Sequence, residues 1–181
     1  KFNKSLREYK ILSQLVGVSI VESCEILGNK SLKIKWPNDI MQGDKKVCGT
    51  LIENLLSSEK SFYSMLGFGF NICIPNDLIN FIDGCPGNLE LGEMEINLLA
   101  GTTASILLDN IELFEKSGFS GLQKKWNQNM YAKDKNVILK NKDKEIFGKL
   151  IGINDSGELE IKTKEKIVKI SDINYSMRIL S

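Results

Sequence analysis

Lys35 is the first residue of this sequence whose position suggests chemistry. In the run Leu-Lys-Ile-Lys-Trp at 32–36, apolar residues alternate with lysines, so both lysines fall on one face of a strand that Pro37 ends. Two environments are open to the Lys35 ammonium group. It extends to solvent or pairs with an acid such as Glu53, or it binds the carboxylate or phosphate of a ligand as a compact positive charge.

Three glycines on two neighbouring strands predict a slot in a sheet. Gly67 and Gly69 alternate in the run Gly-Phe-Gly-Phe-Asn at 67–71, and Gly49 lies in the preceding strand. Glycine weakens a strand, and it is tolerated where a bulge or a closely approaching ligand needs the space of a side chain. Asn71 would be a polar group at the end of this slot. The run is not a dinucleotide fingerprint, because no third glycine and no helix follow it.

Most catalytic relays need residues that this sequence does not offer. It contains no histidine, and its cysteines form no Cys-x-x-Cys pair, so we expect neither a zinc site nor a nucleophile-and-base relay. Chemistry that positions an activated phosphate needs only cations, amides and a metal ion. We expect the cysteines to be reduced and buried as small hydrophobic residues, namely Cys24, Cys48, Cys73 and Cys85.

The composition predicts a folded, soluble, cytoplasmic protein. Of the 181 residues, 42% are hydrophobic and 26% are charged, and the formal net charge is +1, so no uniform field favours nucleic acid or an anionic membrane as a partner. No apolar run approaches the roughly 20 residues of a membrane span, and no signal peptide is recognisable. The first residue is Lys1 rather than methionine, which predicts that further sequence precedes it.

The pattern along the chain predicts an α+β fold. Dense apolar residues predict a largely buried helix over 11–27. Asn38-Asp39 predicts a turn, and residues 42–44 predict the tip of a hairpin that leads into the next strand. Later periodicities predict antiparallel strands over 46–54 and 61–72, a loop over 75–91, a helix over 95–114 and a short helix carrying Leu122, Trp126 and Met130. Five short strands, predicted at 136–140, 145–153, 158–163, 166–170 and 175–179, indicate a small barrel.

Three linked motifs resemble the biotin protein ligase family. They are KWPND, then KKVCGTLIEN, then GFGFN, at separations similar to those of the family, and both GFSGLQKKWNQN and GKLIGINDSGELEI are similar to its later segments. The resemblance implies a catalytic domain over 1–131, with a mixed or antiparallel sheet packed with helices as in class II aminoacyl-tRNA synthetases. It also implies an SH3-like β-barrel over 132–181. The family's upstream biotin-contact strand and Gly-Arg-rich loop have no counterpart here, which implies an N-terminally incomplete catalytic domain whose remnant is KFNKSLREYK.

The resemblance also implies an activity and a set of site residues. The family makes biotinyl-5'-adenylate from biotin and MgATP and then transfers biotin to one lysine of a carrier domain. Lys35 would be the catalytic residue, close to the biotin carboxylate and the α-phosphate. The biotin site would comprise Lys35, Gly49, Gly67 and Phe70. The nucleotide would be bound by Asn38, Asp39, Lys46 and Asn71, and no resident metal site is expected.

The implied partner is the biotin carboxyl carrier protein domain of a biotin-dependent carboxylase. Neither nucleic acid nor a membrane is expected as a partner of this chain, and a homodimer is compatible with the sequence. Two alternatives stay open at this point. One is a lipoate or octanoyl transferase of the same fold, and the other is a non-catalytic biotin-binding remnant of a ligase.

Overall fold

A computed structural model describes residues 11–58, 61–82, 84–92, 95–171 and 173–180. The predicted remnant at 1–10 lies outside these residues. Helices and two antiparallel sheets alternate along the chain, as expected for an α+β fold. The elements are α1 (Leu12–Ile26), β1 (Leu32–Lys35), β2 (Asp39–Gln42), β3 (Lys45–Ser58), β4 (Ser61–Phe70), α2 (Ile96–Ser117), α3 (Ser120–Gln128), β5 (Asn136–Lys140), β6 (Glu145–Ile153), β7 (Leu159–Lys162), β8 (Ile167–Ile170) and β9 (Ser176–Ile179).

The first sheet has the order β1-β2-β3-β4, and each strand is antiparallel to the next. The predicted pairing of 46–54 with 61–72 is confirmed. Strand β2 was not predicted, because its run Asp-Ile-Met-Gln places two apolar residues side by side and so does not alternate. The turn predicted at Asn38-Asp39 is therefore shifted: it covers 36–38, contains a cis Trp36–Pro37 bond, and leaves Asp39 as the first residue of β2.

Helix α1 forms the centre of the core, as its dense apolar pattern predicted. Leu15, Val16 and Ile20 are fully buried, and full burial of such a side chain contributes about 1.5–3 kcal/mol. The helix contacts the sheet through Gly17, where an added Cβ would lie 3.1 Å from the Cγ2 atom of Ile34. A glycine here lets the helix approach one face of the sheet closely, so that face is covered.

Helices α2 and α3 flank α1 on the side away from the sheet. The hydroxyls of Ser23 in α1 and Thr103 in α2 lie 2.8 Å apart, and both side chains are buried. Helix α2 ends at Gly118, which has a positive φ of 75°. Met130 was predicted to continue α3 but lies beyond it, in an extended segment that bridges to Ile34 of β1. The predicted burial of Met130 is confirmed, because this bridge places Met130 beside the buried residue Ile34.

The second sheet has the order β8-β7-β6-β5-β9. All five predicted strands are present, with shorter bounds for β7, β8 and β9. A turn at 154–157 separates β6 from β7: the Asn154 side-chain oxygen accepts hydrogen bonds from the amides of Ser156 and Glu158, and Gly157 has a φ of 74°. The pairings of the described strands do not join β8 to β9, so the SH3-like barrel stays a prediction, as does the domain boundary at 131–132.

None of the helices within the described ranges is both long and apolar enough to cross a membrane.

Asn127 joins the second sheet to the helices. Its side-chain oxygen accepts a hydrogen bond from the Ile153 amide at 2.8 Å, and its side-chain nitrogen donates to the Ile153 carbonyl at 3.0 Å. The side-chain nitrogen of Gln123 donates to the same carbonyl at 2.8 Å. The backbone at the end of β6 is thus hydrogen-bonded to side chains of α3, and this fixes the second sheet against the helices.

We expect Asn127→Ala to destabilise the protein by about 1–3 kcal/mol, because it leaves the partly buried Ile153 amide without its partner. The free energy of unfolding, measured by urea denaturation, checks this. Gln128→Ala is the matched control, since Gln128 is exposed on the same helix. Equal stability of the two variants would contradict the role given to Asn127.

Candidate active site

Four residues, one from each strand of the first sheet, lie in one row. The strand register pairs Lys35 with Asp39, Asp39 with Gly49, and Gly49 with Gly69. Residues directly opposite each other on antiparallel strands project from the same face of the sheet. We call these four residues the cross-strand row. Since the covered face holds the buried residue Ile34, the row lies on the opposite face.

The side chain of Lys46 crosses this row. Its Nζ atom lies 2.5 Å from the Oδ1 atom of Asp39, and the two side chains are 42% and 23% exposed. A Cβ atom at Gly49 would lie 3.3 Å from both Cε and Nζ of Lys46. The missing side chain at Gly49 therefore leaves room for the lysine to reach Asp39. Opposite Ile40 and Met41, strand β3 has a bulge with one extra residue, Val47, and this bulge brings Lys46 to its position.

The side chain of Lys35 forms no hydrogen bond or ion pair with any residue that the structure describes. Its side chain is half-buried at the edge of the row. Glu53, the acid suggested as its partner from the sequence, is exposed and lies opposite Met65 between β3 and β4. The carboxylate opposite Lys35 is that of Asp39, which Lys46 already neutralises. The ammonium group of Lys35 is thus left for solvent or a ligand.

Asn38 and Asn71 use their side-chain amides to hold the backbone around the row. The Asn38 nitrogen donates to the Thr50 carbonyl at 2.8 Å, and the Thr50 amide donates back to the Asn38 carbonyl at 3.0 Å. The Asn71 nitrogen donates to the Lys46 carbonyl at 3.0 Å. These contacts fix the first turn and the start of β3. The predicted binding of a nucleotide by these two residues stays a prediction.

Phe70 does not lie with the glycines that were predicted to share its site. It is opposite Cys48 and packs against the hydrophobic core, with its ring centroid 5.8 Å from that of Phe68. Gly67, by contrast, is exposed on the face of the row. Adjacent residues of a strand point to opposite faces, so alternation alone separates Phe70 from Gly69. Gly69 lies in the row itself; it was predicted as part of the slot but was not among the residues that the resemblance implied for the biotin site.

The segment 85–89 extends this site, although the sequence predicted only an irregular loop. The Lys46 amide donates to the Cys85 carbonyl at 2.7 Å, the Gly87 amide donates to the Lys46 carbonyl at 2.9 Å, and the Leu89 amide donates to the Asn71 carbonyl at 2.6 Å. The loop therefore holds the start of β3 and the end of β4 together. The signal in the sequence for this close contact was Gly87. In the structure, a Cβ atom at this position would lie 2.6 Å from the Lys45 side chain.

Cys48 lies beneath the row, between Lys46 and Gly49 in the chain. The pKa of its thiol is raised to about 12, mainly by burial and in smaller part by the nearby Cys24, while a hydrogen bond with the Gly69 backbone and the charge of Lys46 oppose the shift. Burial also raises the pKa of the Cys24 thiol to about 11. Both thiols are buried as predicted, whereas the same prediction is wrong for Cys73 and Cys85, which are exposed on loops.

Two family models match this chain. The model of the biotin/lipoate A/B protein ligase family matches residues 3–71, and the biotin protein ligase C-terminal domain matches residues 134–172. The chain belongs to the biotin protein ligase family. It is 30% identical over 165 residues to the bifunctional ligase/repressor BirA of Escherichia coli, which covers 87% of this chain and 50% of that protein. The chain spans about half the length of the BirA proteins of Escherichia coli and Bacillus subtilis.

Solved structures of biotin protein ligases confirm the α+β fold. The crystal structure of the biotin protein ligase from Aquifex aeolicus matches with a TM-score of 0.80 at 25% identity, covering 97% of this chain and 77% of that one. A structure of the Aquifex aeolicus ligase in complex with biotin and ATP matches with a TM-score of 0.79 at 25% identity, covering 99% and 74%.

We expect two of the four cysteines to react with Ellman's reagent in the folded protein, namely Cys73 and Cys85. At pH 8 a thiol with a pKa near 12 rather than 9 has about a thousandfold less thiolate, and its burial blocks access as well. The stoichiometry of released thionitrobenzoate, measured before and after addition of guanidinium, checks this. Rapid reaction of four thiols without denaturant would contradict the buried positions of Cys24 and Cys48.

Proposed function

We propose that this protein is an ATP-dependent biotin ligase. It forms biotinyl-5'-adenylate from biotin and MgATP, then transfers biotin to a lysine of a biotin carboxyl carrier protein domain. The observation that carries the proposal is the cross-strand row together with Lys46, which places two lysines and one carboxylate beside glycines. Membership of the biotin protein ligase family, and the biotin and ATP bound to the Aquifex aeolicus ligase, support the same substrates.

The glycine floor suits a flat ring that approaches the backbone closely. No atom lies within 4 Å of the position that a Cβ at Gly69 would take, and at Gly67 the closest atom is the Leu51 carbonyl oxygen at 3.7 Å. Leu51 itself is 63% exposed on the same face and offers apolar surface. We therefore assign Gly49, Gly67 and Gly69 to the biotin slot, with the exposed leucine beside the acyl chain.

The two lysines supply the charge that adenylation requires. A biotin carboxylate oxygen attacks the α-phosphorus of ATP, and pyrophosphate leaves as the phosphorus–oxygen bond to it breaks. The carboxylate is already ionised at pH 7, so this step needs positioning and charge neutralisation rather than a general base. Lys35 would contact the carboxylate and α-phosphate, and Lys46, oriented by Asp39, would contact the nucleotide.

Magnesium would enter this site with its nucleotide. Among the described residues no group of three or more histidine, cysteine or acidic side chains could hold a metal ion. Mg²⁺ is commonly bound by one or two carboxylates together with substrate phosphates. Asp39 is the carboxylate in the row that could serve in this way, and it would have to share its charge with Lys46.

The second step is an acyl transfer. The neutral amine of the acceptor lysine attacks the acyl carbon of biotinyl-5'-adenylate, an amide forms, and AMP leaves with the electrons of the broken acyl–oxygen bond. A row open to solvent on one face leaves room for an acceptor lysine on a partner domain to approach the adenylate.

Purified protein incubated with biotin, MgATP and a biotin carboxyl carrier domain should add one biotin to the carrier, seen as a mass increase. Formation of biotinyl-5'-adenylate without the carrier should be detectable by mass spectrometry. The same assay with lipoate or octanoate in place of biotin separates the alternative transferase from the ligase. Absence of both adenylate and transfer would rule out the proposed function.

Lys35→Ala should slow adenylate formation by about a hundredfold or more while leaving the fold intact, because the variant removes an unpaired cation from the row. Lys46→Ala should have an effect of similar size. Lys33→Ala is the control, since Lys33 projects from the same strand and face but donates to Asn129 outside the row. Adenylate rates in the Lys35 variant equal to those of the control would remove Lys35 from the mechanism.

Gly69→Val should abolish measurable biotin binding without unfolding the protein. A side chain at this position meets no protein atom within 4 Å, so it fills the slot rather than straining the sheet. Isothermal titration with biotin, paired with a thermal melt, checks both halves of this expectation. If the valine variant is folded and binds biotin as the parent does, the slot lies elsewhere.

A further inference from the structure

Part of strand β6 has a free edge. The pairing of β6 with β7 begins at Lys149 opposite Lys162, so residues 145–148 have β5 on one side and no strand of the described chain on the other. Leu150 shows which backbone groups face which side: its amide donates to the Lys135 carbonyl, and its carbonyl accepts from Asp134, both on the β5 side. By alternation, the amide and carbonyl of Phe147 point away from β5.

Gly148 marks the point at which β7 leaves this edge. A Cβ atom there would lie 2.6 Å from both the Cγ2 atom of Ile161 and the carbonyl oxygen of Lys162. Strand β7 is thus pressed against β6 at Gly148 and then turns away into the 163–166 turn. The divergence leaves the free edge of residues 145–148 facing an open space.

This space is a groove of about 910 Å³ between the free edge and the 163–166 turn. Its apolar surface comes from Phe147, Val168 and Leu180, of which the phenylalanine is 56% exposed. Lys162, Lys164 and Lys166 line the facing side. Exposed apolar side chains next to unpaired backbone groups are the features by which a sheet edge accepts a further strand.

The groove carries a local surplus of positive charge, although the whole chain has a formal charge of only +1. Lys162, Lys164 and Lys166 form no ion pair within the described part of the chain. Of the two acids in the groove, Glu145 is already paired with Lys140, at 2.6 Å. Glu165 is the other, so three unpaired lysines face one unpaired acid.

We propose that this groove binds an extended acidic segment of a partner polypeptide, which pairs as a strand with residues 145–148 of β6. The lysines would attract the acidic side chains, and alternate apolar side chains would contact Phe147 and Val168. A polypeptide is favoured over a nucleic acid because only a polypeptide backbone matches the free amide and carbonyl of Phe147. The proposal does not depend on adenylating activity, and either one can fail without the other.

A fluorescein-labelled heptapeptide of alternating glutamate and valine tests this proposal by fluorescence anisotropy. It should bind more tightly than the same peptide with lysine in place of glutamate, and a doubly substituted Lys164→Glu, Lys166→Glu protein should bind it about tenfold more weakly. Lys30→Glu with Lys124→Glu makes the same charge change on exposed residues outside the groove and should leave affinity nearly unchanged. Equal binding of the two peptides, or equal loss in both double variants, would overturn the proposal.

A pair of substitutions at Phe147 separates strand pairing from general attraction of anions. Phe147→Ala removes the aromatic contact but keeps the backbone amide, whereas Phe147→Pro also removes that amide without costing a bond to β5. The proline variant should bind the peptide several-fold more weakly than the alanine variant, and peptide binding should slow hydrogen exchange of the Phe147 amide. Equal affinities together with unchanged exchange, or tighter binding of a single-stranded oligonucleotide than of the acidic peptide, would show that the groove is not a strand-pairing site.

Discussion

Burial of α1 against one face of the first sheet is the constraint on which the candidate site depends. Leu15, Val16 and Ile20 need a covered surface, and the sheet supplies it with the face that carries Ile34 and Ile40. Because side chains alternate along each strand, this contact also decides which residues remain on the other face. The cross-strand row is the consequence: its residues project away from the core because their neighbours are held in it.

Strand register then turns a set of separate motifs into one site. A one-residue slip between β3 and β4 would move Gly69 out of the row and send Phe70 to the open face. Hydrogen bonds from Asn38 to β3 and from Asn71 to the start of β3 hold the strands near this register. The two asparagines thereby support the site through the backbone, which is compatible with a further role toward a ligand.

The two sheets present different kinds of surface. The first sheet exposes glycines, a carboxylate and two lysines on an open face, a combination suited to a small charged substrate. The second sheet exposes a short free edge, apolar side chains and three lysines, a combination suited to a polypeptide. Asn127 fixes the second sheet to α3, so the two surfaces are held in one molecule with a defined separation.

The elements with strong local signals could be predicted from the sequence alone. Alternation in the run at 32–36 was enough to place Ile34 inside and Lys35 outside, and the dense apolar pattern of α1 was enough to predict its burial. The linked motifs were enough to identify the family, because each glycine and lysine stands at a definite spacing. Alternation could also have shown that Phe70 faces away from the glycines, since Phe70 lies next to Gly69 in the same strand.

Tertiary structure decided what no local pattern records. The bulge in β3 brings Lys46 across Gly49 to Asp39, and a bulge is set by the pairing of two strands rather than by either one. The environment of Lys35 depended on which acid stands opposite it and on whether another lysine already neutralises that acid. The free edge of β6 exists because β7 diverges at Gly148. The sequence of β6 alone does not record whether another strand pairs with it. In each case the deciding contact joins residues that are distant in the chain or separated by a turn, so only the folded structure could supply it.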